Sequence, residues 1–430
     1  MTLNKIAYLS LGLGSTSPLL AIVVGKHIVS LMTISLIVVF IDLLFSNKNH
    51  NTIYKSSTLF VLFCKWMVIS VLASVFGFLY FFPLRTDYSY ATISYIPKIL
   101  LYLILLILLG KSCKHSEKCF LIIHGIKIGI ALNLIWSIAD ASMYYSIRES
   151  LTNLVFHSYI SAADMHFGVA SIIDGVTIRS VGLNNDPATI GFFSTVASAY
   201  AFVSKKKWVI VIALLASLAS VSFVGLVGII LVAFFNLIYL NQAISFRSIV
   251  VTILFITTSA LVFNLSGNSI LDSFRSAIEI RAESKTEDDH STSVRRLFLE
   301  KFPGALSNMP TALIIGTGYS TAVYPYLSEG LDYGVSPTTM ENTYVDNFFS
   351  FGLIGFVYFI LFHYCMYRNA RAKMRVDSSE VTIILYSFSL GIPISYLFYH
   401  YTLYSVIMLI SLCSILCLSR PYRSQVKRVI

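Results

Sequence analysis

The chain reads as an all-α polytopic integral membrane protein with about twelve transmembrane helices and two long external loops. Three observations carry that reading. Of 430 residues, 56% are hydrophobic and only 12% are charged, about half the charged share of a soluble domain. Mean hydropathy is +0.77, more apolar surface than a soluble core buries beneath a polar coat. The same numbers exclude disorder, which needs low hydrophobicity and high charge. The third observation is the spacing of the apolar runs.

Those runs fall at roughly 7–24, 28–46, 57–82, 94–110, 119–144, 187–203, 208–222, 224–240, 249–265, 346–367, 379–396 and 399–419, with ends good to a few residues. The pair near 208–240 reads either as two short spans or as one broken element. The basic residues orient the set. Lys111, Lys114 and Lys118 share one loop; Lys205, Lys206 and Lys207 form a second cluster; Arg368, Arg371, Lys373 and Arg375 a third; Arg420, Arg423, Lys427 and Arg428 the tail. With twelve spans all four clusters fall on one side, so both termini are expected in the cytoplasm. That arrangement accounts for the net charge of +10 without a nucleic-acid partner. No cleavable signal peptide is expected, because a second span follows the first at once. The six cysteines lie in apolar runs or basic loops, so no disulfide is expected.

The chain divides into N-terminal helices (1–145), a first external loop (146–186), central helices (187–265), a large external loop (266–346) and C-terminal helices with a basic tail (347–430). The large loop carries ten of the chain's 21 acidic residues before Asp346. Loops of more than about 15 residues are commonly functional. Its part 270–306 has helical composition, and 316–337 reads as irregular.

The external loops hold the candidates. Arg179 stands in Ile178-Arg-Ser-Val-Gly-Leu-Asn-Asn-Asp-Pro187. Asn185 or Asp186 can cap the following helix, with Pro187 in its first turn. An Arg beside a helix N-terminus suits an anion, or equally a lipid headgroup. Arg295 and Arg296 stand in Ser291-Thr-Ser-Val-Arg-Arg-Leu-Phe, where they serve either an anion or the acidic run Glu287–Asp289. Glu341-Asn342-Thr343-Tyr344, then Asp346-Asn347, lies where the chain re-enters the membrane; a carboxylate there acts as a helix cap or a general base. Asp42, Lys65, Lys127 and Asp140 lie in or near spans, where ionisable groups can mark a transport path. The histidines show no metal-site spacing, and no nucleotide-binding motif is present.

On a polytopic chain, these sites in this order resemble the bacterial O-antigen polymerase and O-antigen ligase superfamily. The resemblance runs from about Arg179 to Gly355, and the span pattern extends it to the whole chain. Arg179 before Asn185-Asp186-Pro187 matches the family's Arg ahead of an Asn/Asp-Pro turn. Ser293-Val294-Arg295, then Pro310 and Gly316-Thr317-Gly318, match its Ser-x-Arg, Pro and Gly-x-Gly, with a longer gap after the Pro. Arg296 serves if the register differs by one. The ligase motif His-Asn, nine residues, Gly-x-x-Gly is matched in spacing by Glu341-Asn342 and Gly352-Leu-Ile-Gly355. Here Glu replaces the His, and the Arg often found near the middle helices is absent at Ser222-Phe223.

The resemblance implies a GT-C-like fold. It also implies inverting, metal-independent and cofactor-free glycosyl transfer on the periplasmic face of the inner membrane. The loss of the His favours the polymerase branch. There the growing glycan leaves undecaprenyl pyrophosphate for a hydroxyl of the next lipid-linked repeat unit. Arg179 and Arg295 would hold the pyrophosphate, since a guanidinium is a fixed, always-charged fork, and Glu341 would take the acceptor proton. Arg296, Asn185, Asn342, Tyr319 and Tyr344 would contact substrate; Tyr324, Tyr326 and Tyr333 share the composition of a sugar-stacking surface, which is also that of a membrane interface. Expected partners are the lipid-linked repeat units, membrane lipid, and a chain-length regulator and a flippase of the same pathway. The rivals are an O-antigen ligase, with lipid A-core as acceptor, and a flippase for lipid-linked oligosaccharide. Flippases usually lack an external loop as long as 266–346.

Overall fold

The computed structural model describes residues 3–24, 27–45, 57–81, 86–112, 115–162, 170–173, 177–184, 186–220, 222–240, a few positions from 300 to 307, 310–319, 342–397 and 404–418. Between 80 and 94 and between 157 and 179 the description is of the backbone alone. Helix makes up 85% of it. The helices are α1 (Leu3–Thr16), α2 (Leu31–Phe45), α3 (Thr58–Phe81), α4 (Thr86–Lys111), α5 (His115–Ile147), α6 (Leu151–Ala162), α7 (Pro187–Ser204), α8 (Lys207–Ala219), α9 (Phe223–Leu240), α10 (Pro310–Ile314), α11 (Thr343–Met374), α12 (Glu380–Ser395) and α13 (Tyr404–Leu418). Among the described residues three helices, α3, α5 and α11, are long and apolar enough to cross a membrane. The expected run 249–265 and most of 266–346 lie outside the described residues.

Two departures from the expected pattern have physical causes. The first apolar run is not one helix to residue 24. α1 stops at Thr16, where Ser15 and Thr16 turn their hydroxyls back to the carbonyls of Gly12 (2.7 Å) and Leu13 (2.8 Å). Pro18 then forbids continuation, lacking an N–H and crowding the residue before it. Nor is the chain purely α. Two antiparallel hairpins occur among the described residues, β1 (Ala21–Val24) with β2 (His27–Ser30), and β3 (Ala170–Ile173) with β4 (Thr177–Ser180). Ile22, Val23, Val24, Ile28 and Val29 explain the first, as Ile172, Ile173, Thr177 and Ile178 explain the second, because β-branched side chains fit a pleated ribbon. The run 208–240 forms two helices, α8 and α9, which meet at a turn where the Ser222 N–H donates to the Ser217 carbonyl (2.9 Å).

α7 lies at the centre of the bundle. Asp186 caps it, its carboxylate accepting from the Ala188 N–H (2.9 Å), and Pro187 occupies the first turn. α12 runs antiparallel to it: Gly391 packs on Val196, and Ile384 shares a cleft with Tyr200 and Lys206. α1 and α5 approach closely enough that a Cβ on Gly12 would stand 2.1 Å from the Ile122 carbonyl oxygen and one on Gly125 would stand 2.1 Å from that of Leu9. Small residues allow such backbone contact between membrane helices. α3 meets α11 through Phe63, Trp66, Phe359 and Phe362.

These contacts sort the bundle into two ends. Lys5 pairs with Glu117, Lys118 with Asp42, Lys127 with Glu380, and the Lys373 ammonium donates to the Cys417 carbonyl. The stretches 115–118, 205–207 and 375–380 thus lie toward one end, which is the basic one. The opposite end gathers 16–20, 180–184, 186–187, 316–319, 342–352 and 393–397.

Candidate functional site

The opposite end holds every described candidate from the external loops. β4 carries Arg179, whose backbone pairs with Ser171 of β3. The chain then turns through 180–184 to the cap of α7. Two polar side chains of α5 fix that turn. Asp140 is buried and accepts three hydrogen bonds, from the Ser150 hydroxyl (2.8 Å), the Thr152 N–H (3.0 Å) and the Ser180 hydroxyl (2.8 Å). Asn133, also buried, accepts from the Leu183 N–H (2.9 Å), and its amide donates to the carbonyl of Thr16 (3.1 Å) and the hydroxyl of Ser17 (2.9 Å). Asn184 donates to the Thr16 carbonyl (3.0 Å). A buried backbone N–H or C=O without a partner costs about 1–3 kcal/mol, and this network supplies the partners. The residue next to Arg179 and the residue two before Asp186 are thereby held to the bundle.

The second candidate segment is seated differently. α11 breaks at Gly352, which adopts φ 66° and ψ 179°. The backbone of Gly316-Thr317-Gly318 enters the break. The Thr317 N–H donates to the Phe349 carbonyl (2.8 Å) and the Gly318 N–H to that of Ser350 (2.8 Å). The loop thus bonds carbonyls at a point where the helix is interrupted. Gly316 and Gly318 also take positive φ, 90° and 95°. A Cβ on Gly316 would lie 2.3 Å from the Ser350 oxygen, one on Gly352 would lie 2.3 Å from that of Ile314, and one on Gly77 of α3 would lie 1.9 Å from that of Thr317. The glycines at 316 and 318 and the distant Gly352 form one joint.

The remaining candidates fall as follows. Asn342 is the N-cap of α11: its Oδ1 accepts from the N–H groups of Tyr344 (3.0 Å) and Val345 (3.2 Å), and its amide donates to the Leu397 carbonyl (2.9 Å). The Tyr344 hydroxyl donates to the Pro393 carbonyl (2.7 Å). Tyr319 stacks on Tyr95 with ring centroids 4.0 Å apart. Glu341, Asn185, Arg295 and Arg296 lie outside the described residues, as does the Arg179 side chain.

Asn133, Asp140 and Asn184 join the site from the structure. Asp140 has a plain sequence signal, an acid within an apolar run, but its partners are set by tertiary packing. The other ionisable groups in or near the apolar runs also have partners: Tyr8 and Lys118 each donate to Asp42 (2.7 Å), Lys127 pairs with Glu380, and Lys65 lies 5.4 Å from the Tyr358 ring centroid. No three His, Cys, Asp or Glu side chains converge among the described residues. No protein-family model and no curated protein matches the chain.

Proposed function

We propose that the chain is a glycan polymerase of the inner bacterial membrane. It transfers a growing O-antigen glycan from undecaprenyl pyrophosphate to the next lipid-linked repeat unit on the periplasmic face. The observation that carries this reading is the seating of two motif segments at one end of the bundle. The Arg179 turn is fixed there by Asp140 and Asn133, and the Gly-x-Gly within the long acidic loop is locked into α11 ten residues beyond Asn342. The basic turns lie toward the other end, as a periplasmic site with cytoplasmic lysines requires.

In the proposed reaction the anomeric C–O bond to pyrophosphate breaks and its electron pair passes to the phosphate oxygen. An acceptor hydroxyl forms the new bond from the opposite face of the sugar and gives up its proton to the Glu341 carboxylate. Arg179 and Arg295, or Arg296 in its place, hold the departing pyrophosphate with planar donor forks. No metal is needed for that charge. Asn342 and Tyr344 fix the start of α11 beside Glu341, and Tyr319 is the aromatic ring proposed to meet a sugar.

The glycan ladder of a deletion strain tests the assignment. A polymerase leaves a single repeat unit on lipid A-core; a ligase or flippase leaves none. Within the polymerase reading, Arg179→Ala and Arg179→Lys should both fail in polymerisation of purified lipid-linked repeat units. The rate should fall roughly thirty- to several-hundred-fold, since a lost transition-state contact costs about 2–4 kcal/mol. An unchanged ladder at matched protein level removes Arg179 from the reaction.

A further inference from the structure

Near the basic end, α5, α7, α8 and α12 leave a cleft of about 230 Å³ between them. Its walls are apolar, with Ile130, Leu134, Val196, Ile212 and Phe388 among them. Lys127, Lys206, Tyr200 and Trp208 also line it, and their positions are ordered. On α5, Lys127 comes before Ile130 and Leu134. On the antiparallel α7, Tyr200 comes after Val196. On α8, Trp208 comes before Ile212, and on α12, Glu380 comes before Phe388. Each helix therefore sets its polar or amphipathic residue toward the Lys205–Lys207 turn and its apolar residues further in. From Lys127 to Leu134 the α5 wall runs about 10 Å at the helical rise.

The mouth is cationic. Lys127 pairs with Glu380 and lies 5.3 Å from the Tyr200 ring centroid. The Lys206 ammonium lies 3.3 Å from the Tyr200 hydroxyl. Lys205 and Lys207 flank it, both exposed. Among the described residues, one carboxylate thus stands against four lysines. Trp208 is 62% exposed beside them, the amphipathic ring expected at headgroup depth.

An apolar cleft of this kind has few ways to be filled. Along the inner walls water meets the Ser387 hydroxyl, which already donates to the Ile383 carbonyl, and otherwise hydrocarbon, and an empty cleft forfeits dispersion contacts. A hydrocarbon chain satisfies the walls, and the lysines select the head of the molecule that carries it. We propose that the cleft binds an acyl chain of an anionic phospholipid from the leaflet on the basic side, with the lipid phosphate on Lys206 and Lys207. Lys127 stays with Glu380 and closes the inner edge of the headgroup site. The proposal rests on the chain standing in a membrane and not on glycosyl transfer.

Full-length protein in mild detergent, offered equal phosphatidylglycerol and phosphatidylcholine with the same acyl chains, tests it by mass spectrometry of retained lipid. Phosphatidylglycerol should be retained about tenfold or more over phosphatidylcholine, since each surface lysine contributes roughly fivefold. The double variant Lys206→Gln/Lys207→Gln should still hold lipid but lose most of that preference. Ala131→Phe, on the cleft wall, should lower retention of both lipids. Ile135→Phe, at a 53%-exposed wall position, serves the same purpose if the first variant does not elute as a single folded species. Equal retention of the two lipids by the unmodified chain, an unchanged preference in the double variant, or full retention by the filled cleft overturns the proposal. Glycan synthesis is not the readout, so failure of the polymerase reading leaves the result standing.

Discussion

The turn that leads into α7 is moored by side chains, whereas the segment that meets α11 is moored where side chains are missing. At the first, Asp140 and Asn133 reach out from α5 to hydroxyls, N–H groups and carbonyls. At the second, Gly316 and Gly352 bring two backbones together with no room for a Cβ. The contrast teaches how each tolerates change. A hydrogen-bonding side chain can be replaced by one of similar shape at modest cost. A glycine joint accepts nothing larger, because both the conformation and the space exclude it.

The largest expected effect follows from that. Gly352→Ala should destabilise by about 3–5 kcal/mol, combining a backbone conformation reserved for glycine with an overpacked contact. Apparent Tm in detergent reads it. A variant as stable as the parent would break the comparison by showing that α11 can straighten without its partner loop. Next comes Asp140→Ala, which leaves the Thr152 N–H and two hydroxyls without their acceptor, at about 2–3 kcal/mol. Asp140→Asn keeps an acceptor for Ser150 and Thr152 and should recover most of the loss. If Asn proves as damaging as Ala, the turn depends on charge rather than on hydrogen-bond shape.

Asp377 sharpens the same point at the smallest scale. Like Asp140, it accepts from one N–H and two hydroxyls, those of Ser379 and Thr382, but its side chain is 43% exposed. Partial burial raises its pKa, and the Ser379 and Thr382 hydrogen bonds with the Lys373 charge outweigh that, so the net shift is downward. A lowered folded-state pKa stabilises the fold above the ordinary carboxylate range near about 4. That contribution is lost as pH falls through the folded-state value. Asp377→Asn should therefore change Tm slightly at pH 7 and hardly at all at low pH. Solvent screening keeps the effect within about 1 kcal/mol. An effect equal to that of Asp140→Ala would mean that partner count, not burial, sets the worth of such an acid.

Much of the helical layout was legible because apolar length and proline or asparagine punctuation are local signals. Pro187 after Asp186 marked the start of α7, and the apolar run after Asn342 marked α11. The stop of α1 was legible in principle from Pro18, but the apolar residues beyond it masked a hairpin. The candidate turn at Arg179 was visible as a motif, whereas its supports were not: Asn133 lies in an unremarkable helical stretch, and only packing shows that it meets Leu183. Likewise Gly316-Thr-Gly318 and Gly352 each read as weak patterns, since nothing local says that one is the socket of the other.

The burial of α7 bears on how the chain is assembled. Every residue from Thr189 to Ala199 is buried, including Ser194, Thr195 and Ser198. A helix with that many hydroxyls is a poor resident of lipid on its own, and in a membrane it finds its companions only as they are made. α9 follows soon after it, but α12, which covers its Val196–Ala199 face through Gly391, is synthesised much later. The centre of the bundle must therefore wait for α12, and a ribosome stalled before that helix would leave α7 without this wall.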